Sequence, residues 1–168
     1  MGRTRFHDMN CGIAQSLEVF GDWWTLLIVR NAFFGMRRFA DFESDLGIAK
    51  NVLSKRLQHL VDHEILERVE VGQRGSRFEY RLSERGEALL PVLTALREWS
   101  DEWIFGRGNE PVVVKDRRTA RRVPKLRIRD VDGRALARRD LRTEAGPGAT
   151  PETRARFRRR SAATSEPG

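Results

Sequence analysis

The hydrophobic period of this chain changes twice, and that double switch limits the fold more than any other feature. Up to about residue 63 apolar residues recur at helical spacing; from Val69 to Leu82 they alternate; after Ser83 helical spacing returns. Ile13, Leu17 and Phe20 mark a first helix, stopped by Gly21. Asp22 is a good N-cap for a second, Trp23 to Phe34, apolar on most sides and so expected to be the buried central helix. Phe39, Phe42 and Leu46 stripe a short third helix closed by Gly47. Leu53, Leu57, Leu60 and Val61 stripe a fourth, from about Ala49 to His63. Val69 and Val71 then alternate with Glu70, and Phe78, Tyr80 and Leu82 with Glu79 and Arg81, on either side of Gly72-Gln73-Arg74-Gly75-Ser76. Two alternating runs around a glycine-bearing loop predict a β-hairpin. Ser83 caps a long helix striped by Leu89, Leu93, Leu96, Trp99 or Ser100, and Trp103, with Pro91 expected to bend it or disturb one turn.

This order predicts a mainly α chain with a small β-hairpin (α+β), laid out as a winged helix-turn-helix. The tight Gly47-Ile48 link decides it, because two helices joined by a short glycine-bearing turn form a DNA-reading unit. At 100° per residue the fourth helix turns Asn51, Lys55, Gln58, His59 and Asp62 away from its apolar stripe, flanked by Lys50, Ser54 and Arg56. Asn, Gln, Lys and Ser can hydrogen-bond base edges in a major groove, and Lys50 and Lys55 suit phosphates equally well. An ordinary solvated helix face would carry similar residues. Asp62 would repel phosphate, so Lys50 to Gln58 is taken as the reading half. In the hairpin loop Gln73, Arg74, Ser76 and Arg77 form a wing suited to an adjacent minor groove.

Four segments in this order resemble the HxlR family of bacterial transcriptional regulators, which is related to the MarR type. They are Cys11 through Arg30, Arg38-Phe39-Ala40-Asp41-Phe42, Leu53-Ser54-Lys55-Arg56-Leu57 and Tyr80-Arg81-Leu82-Ser83-Glu84-Arg85-Gly86. The resemblance covers roughly residues 8–105. It implies a homodimer on a palindromic operator in double-stranded DNA, dimerising through its first and last helices. Here those would contribute Ile13, Leu17, Phe20, Leu93, Leu96, Trp99 and Trp103. A final helix ending in two Trp carries more apolar surface than so small a domain easily covers, which also suits an interface; the alternative is that both complete the monomer core. In some members of the resembled family a cysteine at the position of Cys11 senses oxidants or electrophiles. Cys11 opens the first helix, where backbone N–H groups and the helix dipole favour a thiolate, with Arg3, Arg5 and His7 near in sequence. The alternative is a small apolar residue packed at the interface. Phe20, Trp23, Trp24 and Trp99 are candidate walls of an inducer pocket, or else core residues.

Charge divides the chain. Residues 1–105 carry 14 Lys/Arg against 16 Asp/Glu, and residues 106–168 carry 18 against 8, within a net charge of +8. The first segment also holds all four Trp and eight of nine Phe, so it is the core-forming domain, 1–105. In 106–144, Pro111 to Val114 and Lys125 to Arg129 read as short strands and Asp132-Gly133 as a turn, giving a small β appendage. Some actinobacterial HxlR-like proteins carry a cysteine-rich zinc-ribbon-like piece here, but the cysteines are absent and no metal is implied. Residues 145–168, rich in breakers and arginine, are expected to be a basic disordered tail. Its charge suits nucleic acid or plain solvation.

Cys11 is the only cysteine and there are three histidines, which excludes a disulfide framework and a multi-cysteine metal site. The chain contains no phosphate-binding glycine loop, no His-Glu-x-x-His and no Gly-x-Ser-x-Gly. No cofactor and no catalysis are expected, and the acidic run Asp41, Glu43, Asp45 suits a solvated face. Nothing signal-like follows Met1 and no run is long enough to span a bilayer, so a cytoplasmic, nucleoid-associated regulator is expected, with a redox or small-molecule inducer. Two other readings stay open: a sequence-nonspecific basic nucleic-acid module driven by the tail, and a winged-helix protein-interaction module without DNA activity.

Overall fold

The computed structural model describes residues 6–72 and 77–164, with side chains to residue 159. Along the chain run α1 (Gly12–Phe20), α2 (Trp23–Phe33), α3 (Phe39–Leu46), α4 (Lys50–Asp62), β1 (Leu66–Glu70), β2 (Phe78–Leu82), α5 (Glu84–Glu87) and α6 (Leu90–Ser100). A π turn (Asp101–Phe105), a 3-10 turn (Arg138–Asp140) and α7 (Pro151–Thr164) complete it. The chain divides into two compact units, Val19–Leu126 and Met1–Glu18 with Arg127–Gly168.

The first unit is a winged helix built on one apolar core. Ile28 and Val29 of α2, Phe42 of α3, Ile48, Leu53, Leu57 and Leu60 of α4, and Ile65 and Leu66 are all buried there. The Asp22 carboxylate accepts the Trp24 N–H at 3.0 Å and starts α2. Gly47, at φ 60, ends α3 in the left-handed conformation that glycine adopts freely, and lets the chain turn through Ile48 into α4. Asn31 of α2 is fully buried; its amide donates to Asp45 of α3 at 2.7 Å, and Arg30 donates to both. The acidic run on α3 is therefore partly structural: Asp45 ties α3 to α2.

The hairpin pairs Leu66 with Leu82 through Glu70 with Phe78, closed by the Val71 N–H donating to the Arg77 carbonyl at 2.8 Å. The guanidinium of Arg68 stacks 3.7 Å over the Phe78 ring. On its free edge β2 donates the Tyr80 N–H to the Arg37 carbonyl at 2.8 Å. β1 starts three residues before the alternating pattern, because its buried end is Leu66. The expected single long helix is split. Pro91 lies in the first turn of α6, where a missing N–H costs nothing, so it begins a helix instead of bending one. Ser83 caps α5, accepting the Gly86 N–H at 3.0 Å. Gly86 itself is packed so tightly that a Cβ there would lie 2.2 Å from the Ile65 carbonyl oxygen.

The β appendage expected over 106–144 does not form. Among the described residues it contains only two isolated bridges, Lys115 with Arg122 and Arg129 with Ala135, and it divides at Leu126. Its short apolar runs are interleaved with arginines and bury too little to offset the ordering cost of a sheet. Residues 106–126 instead attach to α6 and the π turn through polar contacts. Lys125 pairs with Glu102 at 2.7 Å and the Leu126 N–H donates to the Glu98 carboxylate at 3.0 Å, while Arg122 pairs with Glu110 at 3.4 Å within the segment itself.

The second unit is held by hydrogen bonds. The Gln15 amide donates to the carbonyls of Met9 and His7 at 2.9 and 3.0 Å, and the Phe6 N–H meets the Glu18 carboxylate. Asn10 grips the C-terminal segment with both ends of its amide: Nδ2 donates to the Gly148 carbonyl at 3.2 Å and Oδ1 accepts the Thr150 N–H at 3.0 Å. The tail expected to be disordered is helical over Pro151–Thr164. Its start is built from standard parts, with Thr150 Oγ1 accepting the Thr153 N–H, Pro151 at the first helical position and Glu152 in the first turn.

Candidate nucleic-acid interface

Leu53, Leu57 and Leu60 anchor α4, and their complete burial leaves Lys50, Asn51, Ser54, Lys55 and Gln58 exposed on the other side. These five fall within the reading half expected from the sequence. Gln58 donates to Asp62 one turn later at 2.8 Å, a surface contact open to water. Lys50 stands 4.0 Å from Glu43, a contact open to water and worth little.

Arg56 and His59 do not belong to that surface. Arg56 forms a 2.7 Å ion pair with Asp22, both partly buried, and so ties α4 to the cap of α2. His59 donates from Nε2 to the Val19 carbonyl at 3.0 Å. Both lie on the flank of α4 against which the α1–α2 corner packs. Helical spacing alone sets where the stripe is centred, not how far a neighbour wraps around it. Of the expected wing, Arg77 is exposed at the base of β2. Gln73, Arg74 and Ser76 lie outside the described residues.

The expected dimer surface separates into two kinds of residue. In the winged-helix unit Phe20 and Leu93 pack against the core, whereas Leu96, Trp99 (59% exposed) and Trp103 (72%) stand in solvent. Leu90, Val92, Ile104 and Phe105 are exposed as well. Ile104 and Phe105 escape the sequence pattern because the α6 period breaks at the π turn, and Leu90 and Val92 because they lie off the expected stripe. In the other unit Ile13 (75% exposed) and Leu17 are likewise uncovered. The candidate inducer pocket does not form from its four aromatic walls. Trp23 is 88% exposed, too open to enclose a ligand, and Phe20 and Trp24 are taken up by the core.

Cys11 is partly buried immediately before α1. The N–H groups of Ala14 and then Ile13 hold its thiol below the ordinary range, and the charge of Arg156 lowers it further. His7 contributes nothing visible there: its ring meets Asp8 at 3.1 Å. Arg3 and Arg5 lie outside the described residues. Arg156 is a neighbour that no sequence spacing could announce. Cys11 opens onto a cleft of about 540 Å³ whose walls include Asn10, Gln15, Thr150 and Phe157. Among the described residues no cluster of three His, Cys, Asp or Glu could hold a metal, and no helix is long and apolar enough to cross a membrane.

The model of the HxlR-like helix-turn-helix matches residues 19–107, the span that builds the core, α4 and the hairpin. This chain belongs to the HxlR family. It is a DNA-binding transcriptional regulator with a winged helix-turn-helix. An uncharacterised HTH-type transcriptional regulator of Mycobacterium tuberculosis is 35% identical over 136 residues, covering 81% of this chain and 86% of the relative. The crystal structure of PA1607, a candidate transcription factor, superposes with a TM-score of 0.78 at 40% identity, over 85% of this chain and 100% of that one. The redox regulator HypR is similar in both its reduced and its oxidised form, at TM-score 0.50 and 26% and 27% identity. The match spans 54% of this chain and 90% and 94% of the HypR chains. The family match thus covers the first unit up to residue 107, while the PA1607 likeness also extends beyond the residues that the family model matches.

Proposed function

We propose that two copies of this chain bind a palindromic operator, each laying α4 in a major groove and its wing over the neighbouring minor groove. The observation that carries this is the division of α4: Leu53, Leu57 and Leu60 are wholly buried, and Lys50, Asn51, Ser54, Lys55 and Gln58 are presented outward straight after the Gly47 turn. Asn51 and Gln58 suit adenine edges, and Lys50 and Lys55 suit guanine or phosphate. The exposed Leu96, Trp99 and Trp103 supply the apolar surface a second copy would cover. Half-sites then lie about one helical turn apart, ~34–36 Å. The complex works in the cytoplasm at the nucleoid and represses by occupying the promoter. Selection of bound duplexes from a random pool tests this. An inverted repeat at that spacing, lost in Asn51→Ala/Lys55→Ala, is expected; enrichment of no sequence overturns it.

A redox input is favoured by the place of Cys11 at the start of α1, where the N–H groups of Ala14 and Ile13 draw its thiol below the ordinary range. In this reading oxidation of Cys11 releases the operator. As the only cysteine in the chain, Cys11 would form either a disulfide between the two protomers or a mixed disulfide with a small thiol. Diamide should weaken binding of the wild type and leave Cys11→Ser unaffected. Equal loss in both, or none in either, removes the thiol from the mechanism and directs the search to a small-molecule inducer.

A further inference from the structure

We propose that α7 is a second DNA contact, separate from α4 and indifferent to sequence, in which Arg158 and Arg159 hold the phosphate backbone of the duplex.

Five arginines fall within residues 154–160, against a single acid, Glu152, in the same helix. Such a helix is electrostatically unfavourable by itself, since Arg154 and Arg158, and Arg156 and Arg159, are like charges one turn apart. Among its described side chains little apolar burial compensates: Ala155 and Phe157 are only partly covered. The helix is instead started by the Thr150 cap and pinned by Asn10. A polyanion would remove the repulsion and gain the entropy of released counterions.

The arginines are not equivalent. Arg154 donates to the carbonyls of Ala149 and Pro147 at 3.1 and 2.9 Å, which orients it but leaves its charge uncompensated. Arg156 acts on Cys11. Arg158 and Arg159 are exposed and have no ion-pair partner among the described residues. Arg158 also lines an open groove of about 410 Å³ with Arg154 and Arg142. The one carboxylate in that groove, Glu144, pairs with Arg142 at 2.9 Å, so the groove keeps a positive surplus. An open track of like charges suits the phosphate backbone, which offers the same negative charge at every step whatever the sequence. Duplex DNA is the polyanion favoured because the same chain is delivered to DNA by its winged helix; a second contact then binds at high local concentration. Only this choice of polyanion rests on the DNA-binding reading.

The test uses the full chain and a scrambled duplex, so it does not depend on any operator or on α4 reading sequence. Fluorescence anisotropy is followed across a salt series for wild type, Arg158→Ala/Arg159→Ala and Arg158→Lys/Arg159→Lys. In the alanine variant the slope of log affinity against log salt should become shallower by about 2, with affinity at low salt down about tenfold or more. The lysine variant keeps the charge and should restore both. An unchanged slope and affinity in the alanine variant overturns the proposal. So does unchanged DNA binding accompanied by lost binding to phosphatidylglycerol vesicles, which would assign the helix to a membrane surface. Retained effects here together with failure to select an operator would sink the α4 reading and leave this one standing.

Discussion

The two units of this chain are stabilised by different means. Val19–Leu126 is organised by nine buried apolar residues drawn from α2, α3, α4 and β1 and the links between them. In the unit formed by Met1–Glu18 and Arg127–Gly168, Ala14 is the only buried residue among those described. Order there comes from Asn10, Gln15, Thr150 and Asp130, whose side chains bind backbone. The first arrangement resists the loss of any one polar contact but not of core volume. The second has little core to lose, and each hydrogen bond is worth only about 1 kcal/mol.

Matched substitutions break that comparison most sharply where volume is removed. Phe42→Ala should cost about 3–5 kcal/mol, because its ring is fully buried. Phe157→Ala, at a half-buried position in the other unit, should cost no more than about 1 kcal/mol. Urea denaturation reads both, and equal costs would mean that the second unit has a core of its own. Two glycines give the next effect. Gly86→Ala drives a methyl into the Ile65 carbonyl and should cost about 1–3 kcal/mol. At Gly133, which has open space but φ 84, alanine meets only backbone strain, about 1 kcal/mol.

Smaller effects separate the two sides of α4. Asp22→Ala loses a helix cap and the Arg56 ion pair together and should cost about 1–2 kcal/mol. Lys55→Ala should move stability by less than about 0.5 kcal/mol, so its loss of operator binding cannot be blamed on folding. The smallest shift concerns Cys11. Its lowered pKa means that more thiolate is present at neutral pH than in a free cysteine, and the thiolate is the form that alkylates. The midpoint of the iodoacetamide rate against pH should therefore lie below the ordinary thiol range and rise in Arg156→Ala. No rise would show that the helix N–H groups act alone.

What could be read in the sequence follows the same division. The stripe Leu53, Leu57, Leu60, the Gly47 turn and the alternation Phe78, Tyr80, Leu82 were legible because burial imposes a period on them. Pro91 announced a break, but whether it would bend a helix or begin one depended on where α5 ended. Arg56 and His59 were misplaced because their partners, Asp22 and the Val19 carbonyl, lie on another element. In the second unit the pattern gave little, since hydrogen bonds to backbone leave no hydrophobic period. The start of α7 did carry a local signal, Thr150-Pro151-Glu152, which was masked by the surrounding glycines and by the weight of arginine.

The central claim, that the exposed face of α4 reads DNA, is tested most directly by one anisotropy comparison at fixed, near-physiological salt. The full-length protein and its Asn51→Ala/Lys55→Ala variant are each titrated against an operator duplex recovered by selection and against a scrambled duplex. The wild type should prefer the operator by about 10³-fold or more, and the variant should lose that preference while keeping its affinity for the scrambled duplex within about tenfold. Equal preference for the operator in both proteins would contradict the claim and move sequence recognition away from α4.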